Sequence, residues 1–491
     1  MSPIILKKEP SYLKRQEAFS YQEEAVRAVR GLEYSAVFHE QGLGKTKIAI
    51  DLALYWLEKK ELDTILFIVK KGLIANWQRE FGIHAHIKPK VLSQNRNDNY
   101  FVFNSPVKVI ITNYEVIKAE EKRIKLFLKT RNVGAILDES AKIKNPDSAL
   151  TKVFLEIAPQ FKKRVILTGT PIANRPYDMW AQIHFLDQGK SLGESFKRFK
   201  GNLDLSNKLH RDKCRRDDFE NNLSHLFEKI SPFSVRETKN SGIVSLPRKI
   251  YEKIETQWER YQLELYRQIQ KEERAVIIKN GIPEEDRSDE ILKRLLRLLQ
   301  VASNPKLIDK HYSREPGKFE YLDNLLTGII ANGEKAIVWT SFTDNVDWLK
   351  SEFARFNACK VHGKINIDRR NISIDRFLKD ETCKVLIATP GAAKEGLTLT
   401  VANHVIFYDR GFSLDDYLQA QDRIHRISQE KECYIYNLIM KDSIDEWVDV
   451  LLQAKELSAQ LGQGDISLDY YKSKINYSFG QIIKSILNIE E

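Results

Sequence analysis

From about residue 34 to residue 190 the chain alternates short apolar runs with amphipathic stretches. The runs are "YSAVFHE", "TILFIVK", "VKVIITN", "VGAILDES" and "RVILTGT", rich in β-branched residues and uniformly apolar. Parallel strands covered on both faces read this way, because neither face meets water. Helical patterns such as "KTKIAIDLALYWLEKK" lie between them. The alternation predicts a doubly wound α/β lobe over residues 1–190. Over 191–310 the strand runs vanish, charge becomes dense, and long helical patterns appear, "WERYQLELYRQIQKEERAVIIKN" and "DEILKRLLRLLQVAS". This stretch is expected to form mostly helical protrusions and an inter-lobe linker. Strand–helix alternation returns with "KAIVWTS", "KVLIAT", "HVIFYD" and "CYIYNLI", predicting a second α/β lobe over 311–450. A helix beginning at "SIDEWVDVLLQAKELSAQL" leads into a C-terminal helical tail, 451–491.

Composition narrows the partners. The 491 residues are 42% hydrophobic and 30% charged, the balance of a globular protein with a sizeable core. The formal charge of +10 favours a polyanionic partner. Four cysteines stand far apart without C-x-x-C spacing, so neither a disulfide framework nor a zinc site is expected, and a reducing, cytoplasmic setting is. No apolar run is long enough to span a membrane, and "MSPIILKKEPSYLKRQ" is too polar for a signal peptide.

Two segments carry chemistry. "HEQGLGKTKIAI" (39–50) follows a strand and opens a helix. Gly42 and Gly44 let successive N–H groups turn toward phosphate oxygens. Lys45 reaches the β- and γ-phosphates, and the Thr46 hydroxyl is a Mg²⁺ ligand. The strict phosphate-loop pattern has Gly where this chain has His39; the alternative is a plain Gly-rich turn before a helix. "GAILDESAKIKN" (134–145) ends a buried strand with Asp138 and Glu139. Asp138 is placed to hold Mg²⁺, and Glu139 to orient and deprotonate an attacking water. A capped helix start is the alternative for the acid pair. Arriving with a phosphate loop in one lobe, the pair completes a Mg–ATP site.

The order of further segments carries a resemblance. "FSYQEEAV", "NWQREF", "LTGTPIANRPYDMW", "IVWTSFTDN", "ATPGAAKEGLTLTVANHVIFYD" and "QAQDRIHRISQ" follow one another with the two segments above. Over roughly residues 15–455 the chain resembles the SWI/SNF-related (Snf-two-type) ATPases of helicase superfamily 2, in a compact bacterial or phage form. The resemblance implies two RecA-like lobes with ATP between them, helical protrusions, and duplex DNA as the track. It implies that Gln22 holds adenine and that Thr168 and Thr170 couple nucleotide to DNA. Arg423 and Arg426, three apart and expected on one helix face, would stabilise transition-state charge when the lobes close. Gln419 and Asp422 would orient them, with Gly396 close by. An ordinary exposed basic turn is the alternative for the two arginines.

The resemblance also implies contacts to backbone phosphates from strand ends: Lys70, Lys71, Thr112, Asn113, Ser341, Phe342 and Thr389. Such contacts are blind to sequence. Tyr114 and Trp77 are read as packing residues rather than base-stacking ones. The basic run "KLHRDKCRRDD" (208–218) is read as a solvated face, with duplex contact as the alternative. Three positions depart from the family pattern. Ala141 replaces a His that links the acid motif to the coupling motif, His39 replaces an acid, and Lys70–Lys71 replace a frequent Cys-Pro. The expected activity is DNA-stimulated ATP hydrolysis with translocation on double-stranded DNA by a monomer. A strand-separating helicase, an RNA track and an ATP-gated nucleic-acid-binding scaffold are the competing readings.

Overall fold

The computed structural model describes residues 9–172, 174–205, 209, 211–243, 246–280, 288–392 and 398–477. They fall into two compact units. One comprises Met1–Leu205, Asp217–Ser245 and Ser458–Tyr471; the other comprises Ser206–Arg216, Leu246–Leu457 and Lys472–Glu491.

The first unit is built on seven strands: β1 (Tyr34–Val37), β2 (Thr64–Val69), β3 (Lys90–Val91), β4 (Val109–Asn113), β5 (Val133–Asp138), β6 (Lys163–Leu167) and β7 (Ser234–Val235). They pair in the order β3-β4-β2-β5-β6-β1-β7, with every pairing parallel. Every residue of β2 and β4 is buried, as their apolar runs require. Register then aligns the ends that matter. Val37 lies opposite Leu167, and Leu167 opposite Asp138. Ile68 lies opposite Leu137, and Val69 opposite Asn113. The loops after β1, β6, β5, β2 and β4 therefore leave one edge of the sheet side by side. Open α/β sheets use this carboxyl edge for ligands. Beneath it, the helices Ser20–Val29, Lys45–Glu58 and Ile74–His84 cover the sheet with a core that includes Ile50, Trp56, Phe67, Trp77 and Phe81.

The second unit has six strands: β8 (Lys249–Thr256), β9 (Ala336–Trp339), β10 (Cys359–Val361), β11 (Val385–Ala388), β12 (His404–Phe407) and β13 (Cys433–Met440). Their order is β10-β11-β9-β12-β13-β8, again all parallel. Trp339 lies opposite both Ala388 and Phe407, so the loops carrying Ser341, Thr389 and Asp409 leave the sheet at one level. Two doubly wound parallel lobes are thus present, as the apolar runs predict.

The stretch 191–310, expected to be mostly helical, also carries strands. It holds long helices, Arg260–Asn280 and Ser288–Ser303, but it also contributes β7 and β8, one edge strand to each sheet. β8, "KIYEKIET", is mostly exposed, so it never needed the apolar run by which a central strand is recognised. The second difference concerns "QAQDRIHRISQ". Its helix, Leu414–Gln421, stops before both arginines. Groups beyond it turn to other partners: the Arg423 carbonyl accepts from Leu399 N–H, and the Gln429 side-chain amide donates to the carbonyls of Thr400, Ala402 and Ile424. Arg423 and Arg426 therefore lie in a hydrogen-bonded turn and do not share a helix face.

Candidate nucleotide site and strand-end residues

The phosphate loop runs from β1 into the helix Lys45–Glu58. Gly44 caps that helix at φ +70° and Gly42 has φ +89°, a left-handed backbone that disfavours a side chain. Space is closed as well: a Cβ on Gly44 would fall 2.2 Å from the Gln22 amide nitrogen. Gln22 is buried against the loop, where its Nε2 donates to the Leu43 carbonyl (3.4 Å) and its Oε1 accepts from Phe19 N–H (3.1 Å). Tyr21 O–H adds a bond to the same carbonyl (3.3 Å). The expected adenine residue thus stands directly on the phosphate loop. Lys45 Nζ donates to the carbonyls of His39 (2.8 Å) and Glu40 (3.1 Å). Burial and the Lys45 charge push the His39 imidazole down to about 4, so it is neutral near pH 7. The loop after β6 approaches closely, because a Cβ on Gly169 would lie 3.0 Å from Gln41 N and 3.3 Å from Lys45 Nζ. Beside it the Thr168 hydroxyl accepts from Thr170 N–H (3.2 Å).

Asp138 ends β5. Its Oδ2 accepts from Trp77 Nε1–H (2.8 Å), and its carbonyl accepts from Tyr114 O–H (2.7 Å). Both aromatic rings are fully buried, which agrees with packing, and each also holds the acid motif. Burial, then the neighbouring Glu139 charge, raises the Asp138 carboxyl to about 6, against the pull of Trp77 and Lys45. Glu139 has a left-handed backbone (φ 53°, ψ 53°), and its Oε2 lies 3.8 Å from Lys70 Nζ. Non-glycine residues at such angles are uncommon and concentrate at functional sites. The register opens the β1 loop that leads into Lys45 and Thr46, and the β5 end with Asp138 and Glu139, on the same edge of the sheet, and the Lys45 charge is felt at Asp138.

Thr46 and Asp138 supply two hard oxygen donors, and no group of three or more His, Cys, Asp or Glu side chains able to hold a metal occurs among the described residues. This donor set fits Mg²⁺, which takes one or two protein oxygens and fills its shell with phosphate oxygens and water.

The strand-end residues divide. Lys71 is exposed and Lys70 partly so. Thr112 and Asn113 do not reach the surface as expected: both are buried, Thr112 Oγ1 donates to the Leu92 carbonyl (3.4 Å), and Asn113 Oδ1 caps the helix Tyr114–Ala119. A strand end that must start a helix spends its polar side chain on capping. In the second unit, Ser341 and Thr389 line one cavity of about 500 Å³ with Arg370, Asp409 and Arg410. Buried Asp409 shapes it, accepting from Ser341 N–H (2.6 Å), Thr340 O–H (2.6 Å) and Ser303 O–H (2.7 Å). Phe342 precedes the helix Thr343–Glu352 and does not line this cavity. Of the run 208–218, Lys208 and His210 lie outside the described residues; Arg215 pairs with Asp212 (3.2 Å), as in a mixed-charge face.

Arg423 is buried, and the Asp422 carboxylate pairs with Lys249 (2.9 Å). Arg426 donates to the Asp422 carbonyl (3.1 Å) and the Thr398 hydroxyl (2.8 Å); burial holds its guanidinium below its usual pKa. Gln419 is buried, its Nε2 donating to Asp415 (2.7 Å), while its Oε1 has no hydrogen-bond partner among the described residues. Gly396 lies outside the described residues.

Two family models match in succession, the SNF2-related domain over residues 21–307 and the helicase conserved C-terminal domain over 317–428. The chain belongs to the SNF2-related family. Among relatives, an uncharacterized ATP-dependent helicase of Mycoplasma genitalium is 29% identical, covering 92% of this chain and 43% of that protein. The ISWI chromatin-remodeling complex ATPase of Saccharomyces cerevisiae is 26% identical, covering 91% and 41%. The chain thus spans less than half the length of these relatives. A solved SWI2/SNF2 ATPase core from Sulfolobus solfataricus in complex with dsDNA aligns over 96% of this chain and 99% of that one, at 24% identity and TM-score 0.43.

Ala141 brings no polar side-chain atom to the acid motif. A buried residue that sequence reasoning missed links that motif to the segment after β6. Ser140 O–H donates to Gln182 Oε1 (2.7 Å), and Gln182 Nε2 donates to the carbonyls of Pro171 (3.1 Å) and Asp178 (2.9 Å). The only signal in the sequence was a glutamine inside the apolar helix Met179–Asp187, where a buried amide must find partners.

Proposed function

We propose that this SNF2-related chain is an ATP hydrolase stimulated by duplex DNA, and that it translocates along the duplex without sequence preference. The observation that carries the reading is that the β1 loop leading into Lys45 and Thr46 and the β5 end bearing Asp138 and Glu139 open on the same carboxyl edge of one sheet, with β6 between them. In this reading Gln22 holds the base, the loop N–H groups and Lys45 hold the phosphates, and Glu139 takes the proton of the attacking water. Mg²⁺, held by Thr46 and Asp138, would neutralise charge on the phosphates. Arg423 and Arg426 are assigned transition-state stabilisation on their motif. The names of the relatives and the +10 charge support nucleic acid as the activator. Ser341, Thr389, Lys70 and Lys71 are the strand-end residues left available for its phosphates. No helix among the described residues is long and apolar enough to cross a membrane.

ATP turnover is to be measured with duplex DNA, single-stranded DNA and RNA. Duplex should raise turnover several-fold, and salt should weaken duplex binding steeply. Glu139→Gln should retain ATP binding and lose at least ~10²-fold in turnover. Near-normal turnover in that variant refutes the role of Glu139. Stimulation by RNA alone refutes the duplex track, and release of a displaced strand marks the strand-separating reading.

A further inference from the structure

Lys70 and Glu139 leave neighbouring strands at the same level. Ile68 of β2 lies opposite Leu137 of β5, so the residues two steps further along, Lys70 and Glu139, emerge together at the carboxyl edge. Lys70 Nζ lies 3.8 Å from Glu139 Oε2, and the two side chains keep 26% and 18% of their exposure. Among the described residues Lys70 is the one cation paired with Glu139. Lys142, also close in sequence, pairs instead with Glu115 (3.2 Å). The separation is longer than a charge-assisted hydrogen bond, so a competing anion faces a loose pair. The next residue, Lys71, is exposed, so the loop already presents positive charge to solvent.

We propose that Lys70 is a positioning residue through which a polyanion acts on the general base. In the free protein its ammonium holds the Glu139 carboxylate in one orientation, turned toward the loop after β2. A backbone phosphate of bound duplex competes for the same ammonium and releases the carboxylate toward the attacking water. The inference rests on the ATP-hydrolase reading and deepens it by naming one route of stimulation. Because competition is reciprocal, whatever weakens the pair also strengthens the hold on the polyanion by the same factor. A partly exposed ion pair of this kind is worth about 2- to 5-fold.

The test has two arms. In turnover assays without nucleic acid, Lys70→Ala should raise the basal rate about 2- to 5-fold and lower the ratio of stimulation by a similar factor, and Lys70→Arg should restore the wild-type pattern. In nucleotide-free titrations with a short mixed-sequence duplex at fixed salt, Glu139→Gln should tighten binding about 2- to 5-fold when Lys70 is present and leave it unchanged in the Lys70→Ala background. An equal effect of Glu139→Gln in both backgrounds overturns the proposal. So does a basal rate that stays constant or falls in Lys70→Ala, which would make Lys70 a plain track contact or an aid to hydrolysis. A wild-type protein with no turnover at all overturns the ATP-hydrolase reading, and the equilibrium arm tells that failure apart because it requires no hydrolysis.

Discussion

Replacing Trp77 with Phe removes one atom that matters, the indole N–H on Asp138 Oδ2 at 2.8 Å. The carboxyl it holds is buried and already raised to about 6. A hydrogen bond to a charged group is worth ~1.5–3 kcal/mol. At 1.36 kcal/mol per pH unit, its loss should move the Asp138 midpoint upward by about 1 to 2 units. The wild-type group is then about nine-tenths ionised at pH 7, and the variant between about a half and a tenth. Affinity for Mg–ATP should fall about 2- to 10-fold at pH 7, return toward wild type near pH 9, and leave Mg-free ATP binding untouched.

A second effect is separable from the first. Trp77 is 1% exposed and packs on Phe67 (centroids 5.1 Å apart) and Phe81 (6.4 Å). A smaller ring leaves a void, which costs stability at every pH. The electrostatic part has its own sign. A carboxyl whose folded value is raised favours its protonated form in the fold, so it lowers stability as pH rises from the unfolded value to the folded one. In wild type that decline ends near 6; in Trp77→Phe it should continue upward, so the difference in thermal midpoint should grow between pH 6 and 8. Titration of Mg-dependent binding of a non-hydrolysable ATP analogue from pH 5 to 9, beside thermal melts, reads both. An unmoved acid limb and a pH-independent melting difference would reduce Trp77 to packing.

Three further outcomes follow from the same geometry. Gly44→Ala should weaken ATP binding by at least tenfold with little loss of fold, since its Cβ displaces Gln22 from the loop; unaltered ATP affinity, measured by calorimetry, counts against Gln22 on the base. Gln182→Leu should destabilise the first unit by ~1–3 kcal/mol, because the Ser140 hydroxyl and Pro171 carbonyl lose their buried partner, and should uncouple DNA binding from turnover; denaturant melts and the stimulation ratio check the two parts. Arg426→Ala should leave ATP affinity within a few-fold while stimulated turnover falls by ~10³-fold or more, and wild-type stimulated turnover would remove it from the transition state.

What the sequence made legible follows from what each signal depends on. β2, "TILFIV", and β12, "HVIF", announce themselves because a strand buried on both faces must be apolar throughout. β3 spans two residues and β10 three, too few for any periodicity, and β8 is an exposed edge strand whose sequence is half charged. The phosphate loop was legible for a local reason: its glycines, lysine and threonine are consecutive, and the chemistry lies in their succession. The Trp77–Asp138 bond was not, because it joins residues 61 positions apart through the β2–β5 pairing. The arginine turn misled for the opposite reason. Local spacing continued a helix past Gln421, while the Leu399 N–H took the Arg423 carbonyl and the Thr400 and Ala402 carbonyls took the Gln429 side-chain amide, and the helix ended.

The departures around the acid motif then have a common physical sense. The Ala141 side chain offers no hydrogen bond, so side-chain coupling between Asp138–Glu139 and the rest of the lobe must run through neighbours that do. Two such neighbours are in place, on opposite sides of the motif. Gln182, buried and held by three hydrogen bonds, ties Ser140 to the segment after β6 and gives a rigid link that does not depend on solvent. Lys70, partly exposed and loosely paired, gives a link that a passing phosphate can break. A rigid link transmits strain whether or not DNA is present, whereas a breakable one responds only to an anion. If stimulation by duplex arises mainly from the second, it should fade with rising salt along with duplex affinity, because mobile ions screen both. If it arises mainly from the first, turnover at saturating duplex should hold constant as salt rises. The salt dependence of the maximal stimulated rate, taken apart from the salt dependence of binding, therefore decides which of the two links carries the stimulation.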